Sequence, residues 1–170
     1  MGKGLPRSLA AAKGNNAVKV KRFKINHTVP VTATSTAVGF GTIPIGDFPQ
    51  GNILLLGAVA NVQFTTSDAD IGATWDGDFS IGTVGTADVD VSDSGEADII
   101  ASTALGAASS KTSPLKRATN ATAVILDNTD DALEINMNLL IDAANIADDS
   151  AADITATGDL WVAYAVLGDD

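Results

Sequence analysis

The sequence has 170 residues, 45% of them hydrophobic and only 5% aromatic, with 21 acidic against 10 basic side chains and no cysteine. That length accommodates one domain plus a short appendage, and the balance of small apolar and polar residues excludes a disordered chain. Without cysteine there is no disulfide framework, thiolate metal site or cysteine nucleophile.

Charge is distributed unevenly along the chain. Lys3, Arg7, Lys13, Lys19, Lys21, Arg22 and Lys24 precede the first acid, Asp47, so the front segment is +7. From Asp47 onward three cations (Lys111, Lys116, Arg117) stand against 21 acids, which makes the remainder −18. Asymmetry of this kind concerns partners and assembly more than fold.

Residues 1–16 have no sustained periodicity and are rich in Gly, Ala, Lys and Asn, which predicts a mobile segment. Leu9 to Ala12 make too short an apolar stretch for an export signal, and Lys13 closes it. In VKVKRFKI, Val18 and Val20 alternate with lysines, and Phe23 and Ile25 resume on the other parity across Arg22. This pattern predicts a bulged or edge strand with a basic face.

After Pro30, VTATSTAVGF is rich in Thr and Val, while GTIPIGDFPQGN reads as turn and loop because Pro44, Pro49 and three glycines interrupt it. NILLLGAVANVQF is the most apolar segment. It fits a strand buried on both faces or a short buried helix, which periodicity alone does not separate. Its longest apolar run, Ile53 to Ala60, is far below the roughly 20 residues of a membrane helix, so no membrane crossing is expected.

ATWDGDFSIGTV reads as a strand broken or bulged at Gly77, with Trp75, Phe79 and Ile81 facing one way. DVDVSDSGEADII alternates, turns and resumes, ASTALGAASSKTSPLKRATN reads as a long surface loop, and ATAVILDNTDD as a strand entering a turn. In LEINMNLLI, Leu133, Ile135, Met137, Leu139 and Ile141 share one parity, and Glu134, Asn136 and Asn138 the other. Such alternation predicts a half-buried strand. DITATGDLWVAYAVLG supplies a final apolar strand with Trp161 and Tyr164.

About seven or eight short strands with polar turns and no amphipathic helix predict an all-β fold, an antiparallel β-sandwich or jelly-roll-like body with an extended N-terminal arm. The division is a basic arm with an edge strand over residues 1–28 and an acidic body over 29–170.

Catalytic chemistry finds little support. His27 is the only histidine and reads as an ordinary strand or turn residue, and no G-x-S-x-G nucleophile elbow occurs. GFGTIPIG and SIGTVGTAD lack the spacing of phosphate loops. DVDVSDSGEAD fails the calcium-loop template, with Asp93 where glycine is required and Ile99 where glutamate is required. SDADIGATWDGD is likewise read as a solvated acidic surface. No enzyme activity, cofactor or metal is therefore expected. Nor is specific nucleic-acid binding, because a −18 body repels a polyanion.

The charge asymmetry instead points to a strap: the basic segment reaches another polypeptide, charge steers it, and strand addition with burial holds it. The candidate partner-binding residues are Lys3, Arg7, Lys13, Lys19, Lys21, Arg22, Phe23, Lys24 and Ile25.

Several segments in order, MGKGLPRSLAAAKG, GDFPQGNILLLGAVANVQF, TWDGDFSIGT, ADIIASTALGAA, SPLKRATNATAVILDNTDDALEINMNLLIDAANI and VLGDD, resemble small proteins encoded among the head genes of tailed bacteriophages. The resemblance spans nearly the whole chain and lies in segment order, not in catalytic motifs. It implies a capsid decoration or cement protein, commonly a homotrimer, on the outer surface of the virion capsid, where its arms tie capsomers of the major capsid protein together. It carries over no active-site residues. The alternatives are a tail or fibre component, or a carbohydrate-binding β-domain with Trp75, Trp161 and Tyr164 as a stacking platform, although burial of Trp161 and Tyr164 in an apolar strand is the stronger expectation.

Overall fold

The computed structural model describes residues 18–34, 36–129 and 133–168. Among the described residues there is no helix, and the strands are β1 (Lys19–Ala33), β2 (Gly39–Asp47), β3 (Asn52–Thr65), β4 (Gly77–Gly82), β5 (Ile100–Ala104), β6 (Lys116–Asn120), β7 (Val124–Leu126), β8 (Glu134–Ile141) and β9 (Ala151–Gly168). Every ladder is antiparallel.

The pairings are nested: β4 with β5 innermost, then β3 with β6 and β7, β2 with β8, and β1 with β9 outermost. A long hairpin rolled up on itself gives this order, and it is the antiparallel jelly roll. The path β5-β4-β8-β2-β1-β9-β3-β6 folds over at the β1–β2 corner, where only Thr32–Phe40 and Ala33–Gly39 pair. Two layers result, β1-β9-β3-β6 and β2-β8-β4-β5. At the corner the strands approach so closely that a Cβ on Gly41 would lie 2.0 Å from the Pro30 carbonyl oxygen.

The periodicities explain the core. Phe23, Ile25, Val29 and Val31 of β1, alternate residues of β3 from Ala58 to Phe64, and Ile135, Met137, Leu139 and Ile141 of β8 all turn inward and are buried. Phe64 and Phe79 meet across the layers with ring centroids 5.6 Å apart. Trp75 is fully buried in the same core, its indole N–H donating to the Lys111 carbonyl.

Several sequence expectations need correction. GTIPIGDFP is not a loop over its first part, because Gly39–Asp47 forms β2. This strand lies at the edge of its layer, so Pro44 forfeits no ladder bond on the open side, and the register shifts between Pro44 and Gly46. The supposed long loop after Ala101 contains β5 and β6. Asp88 to Asp98, by contrast, does not pair as a strand, since the Asp88 and Asp90 carboxylates accept from backbone N–H groups two residues on and fold the segment into tight turns. The apolar β3 is a strand buried on one face only, with Leu54, Leu56 and Val59 half exposed on the other.

A candidate binding face on the β1-β9-β3-β6 layer

β1 pairs with β9 continuously from Lys19–Tyr164 to Thr32–Ala151. No bulge interrupts it, so Val18 and Val20 project outward and are exposed. The expected division between residues 28 and 29 falls inside this ladder, and residues 19–28 belong to the sandwich. β1 is nonetheless the edge of its layer. Pro30, which has no N–H to give, is tolerated there for that reason.

The candidate residues separate into three groups. Lys3, Arg7 and Lys13 lie outside the described residues. Phe23 and Ile25 are in this chain's own core, because they share the inward parity with Val29 and Val31. The remaining cations line the strand's start and outer side. The Lys21 ammonium sits 4.4 Å from the Phe23 ring centroid and donates to the Asp47 carbonyl, closing over the end of the core. Arg22 donates to Asp159 Oδ1 at 2.7 Å and lies over the Trp161 ring at 5.5 Å. The carboxylate raises the guanidinium's pKa through that hydrogen bond and charge. Lys19 and Lys24 are exposed.

Register extends the outer face across the layer. Arg22, Trp161 and Val59 form one row, and Lys24, Asp159, Asn61 and Arg117 the next. Val20, Leu56, Val59, Trp161 and Ala163 help line a depression of about 340 Å³ that is walled mainly by apolar side chains. Trp161 is half exposed here, whereas Trp75 and Tyr164 are buried inside. The three rings therefore make no common sugar platform. The sequence could not show the direction of Trp161, because β9 is apolar on both parities around it.

The opposite layer is covered by its own loop, a feature absent from the sequence reading. Asn138 on β8 accepts from Thr86 N at 2.8 Å and donates to the Val84 and Glu96 carbonyls at 3.0 Å each. Ser80 donates to the Glu96 carbonyl, and the Asp98 carboxylate accepts from both Thr83 N and Thr83 Oγ1. These bonds clamp residues 83–98 onto β4 and β8 and bury Asn136 and Asn138, which the alternation had placed toward solvent. The Glu96 side chain is buried with Oε2 unpartnered. Burial first, then Asp93 and Asp88, raise its pKa, with Asp90 adding less and the Thr86 hydroxyl opposing.

Among the described residues no three carboxylate or imidazole side chains converge to hold a metal ion. Asp142 has a raised pKa, first through burial and then through Asp76 and Asp78. His27 is half buried in β1 opposite Ala156.

No family model matches the chain, and no curated protein matches it. Among solved structures it is similar to a chain of the cyanophage Pam1 capsid asymmetric unit, at 16% identity and a TM-score of 0.38 over 89% of this chain and 86% of that one. It is also similar to the VP2 subviral particle of infectious bursal disease virus, at 12% identity and a TM-score of 0.44 over 88% of this chain and 33% of that one, and to the Gt strain of that virus, at 10% identity and a TM-score of 0.42. The chain spans about a third of the length of these last two.

Proposed function

We propose that this chain is a virion structural protein of the capsid decoration or cement class. It sits on the outer surface of a phage head and stabilises the shell by linking copies of the major capsid protein, and it has no enzymatic role. The observation that carries this reading is the place of β1. It is a basic strand at a layer edge, with Lys19, Lys21 and Lys24 around its start in a chain that is −18 from Asp47 onward. The segment-order resemblance to phage head-gene products adds to it.

The contact to the shell runs through the +7 front segment. Charge steers the approach, and individual exposed pairs contribute under about 1 kcal/mol each, so backbone pairing along the free edge of β1 supplies the grip. Phe23 and Ile25 support that edge from within and do not leave the core.

Deleting residues 1–17 and reversing Lys19 and Lys21 to Glu should leave a folded protein that no longer binds shells assembled from the major capsid protein. Full occupancy of shells by that variant, counted in cryo-electron micrographs, would end the reading.

A further inference from the structure

Under the tip of the 83–98 loop, oxygen acceptors outnumber the protons available to them. The Thr86 hydroxyl lies 3.0 Å from the Asp88 carbonyl oxygen and 2.8 Å from the Asp90 carbonyl oxygen, and it also faces the Glu96 carboxyl. With a single proton it can donate to only one of the three. Glu96 is 7% exposed, and its Oε2 is buried with no hydrogen-bond partner. An ionised carboxylate taken out of water and left unpaired is costly unless a cation meets it.

These oxygens are held in advance. Asn138 of β8 accepts from the Thr86 N–H and donates to the Glu96 carbonyl, and Ser80 of β4 donates to the same carbonyl. Both residues are thereby fixed to the sandwich. The Glu96 N–H donates to the Asp93 carbonyl, and Asp93, Asp88 and Asp90 all act on Glu96 electrostatically. Among the described residues the one ion pair is Arg22 with Asp159, so no lysine or arginine neutralises this acidic group.

We propose that the Glu96 carboxylate, the Thr86 hydroxyl and the carbonyl oxygens of Asp88 and Asp90 form a calcium site. Calcium takes neutral oxygens beside a carboxylate at about 2.3–2.6 Å and fills the rest of its shell with water. Oxygens 2.8 and 3.0 Å apart have the spacing of neighbouring ligands around such an ion. Asp88, Asp90 and Asp93 supply field and not side-chain bonds, which accords with the lack of three converging carboxylates among the described residues. With one charged ligand the site belongs to the weak class of calcium sites, with Kd about 10⁻⁴–10⁻³ M. The EF-hand template misses it because Thr86 lies ahead of the segment that the template spans.

Calorimetric titration of the full chain with calcium chloride, after removal of divalent ions by a chelator, tests the site. The parent should bind one calcium ion in that range. Its thermal midpoint should rise by about 3–10 °C at 10 mM calcium, and sodium chloride at matched ionic strength should not reproduce the rise. Glu96→Gln, which keeps the shape and removes the charge, should lose both responses while retaining the parent's near-ultraviolet circular dichroism. Asp93→Asn, at an exposed position, should fold normally and bind calcium several-fold more weakly, whereas Asp70→Asn in the other acidic segment should bind like the parent. Three results would overturn the proposal: no binding heat or midpoint shift in the parent at 10 mM calcium, a shift that sodium chloride reproduces, or parent-like binding by folded Glu96→Gln. Should Glu96→Gln fail to fold, parent-like affinity in Asp93→Asn would overturn it instead.

Discussion

The Phe23 ring fills the space that a side chain at Gly46 would need: a Cβ there would lie 2.4 Å from the ring's Cδ1. One residue of the basic strand thus locks against the end of β2, and Lys21 covers it from outside.

This contact ties the fate of the basic strand to the fold. Removing residues 1–24 takes Phe23 out of the core and should unfold the protein, whereas removing 1–17 should not. Phe23→Ala should cost about 3–5 kcal/mol, and Val20→Ala, at an exposed site, under about 0.5 kcal/mol. Denaturant melts of the four proteins check the order.

Asn138 holds the 83–98 loop through three bonds to backbone groups. Asn138→Ala leaves buried partners without bonds, at about 1–3 kcal/mol, and should release the loop before the sandwich unfolds. Limited proteolysis should then cut between Thr83 and Asp98 in the variant under conditions that spare the parent.

The raised pKa of Glu96 has a defined consequence for stability. The folded chain holds this proton more tightly than the unfolded chain, so the contribution is fully present below the ordinary glutamate value of 4.5 and is lost as pH rises through the higher folded value. Asp98 and Asp142 shift in the same direction, each first through burial. Thermal midpoints should therefore fall as pH rises above the ordinary carboxylate range. Glu96→Gln, neutral at every pH, should reduce that slope without removing it, and midpoints measured at pH 5 and pH 8 give the comparison.

Gly158 adopts φ +149°, and a Cβ there would sit 1.9 Å from the Asn61 carbonyl oxygen in the neighbouring β3. Because the obstacle is backbone, it cannot turn aside. Gly158→Ala should destabilise by at least about 2 kcal/mol, as read from chemical denaturation.

Legibility in the sequence depended on whether a signal was local. The alternation from Leu133 to Ile141 gave the inward face of β8 directly, since a period of two is a property of the strand itself. Pro44 hid β2, because a proline that breaks a central strand is harmless on an edge, and edge position is a tertiary fact. The burial of Asn136 and Asn138 depends on a loop some 50 residues away in sequence, and no spacing rule announces it. The candidate residues of the basic strand were found by charge, but their division between core and surface needed the β9 register. The hollow beside Trp161 arises from side chains of four strands and leaves no contiguous pattern.

The outermost pairing of the jelly roll, Lys19–Tyr164 through Thr32–Ala151, also sets a timetable for synthesis. β1 leaves the ribosome early and must wait, with its apolar side uncovered, until β9 has been translated. Pairing so distant in sequence is slow to find and leaves nascent chains open to misassociation in the interval.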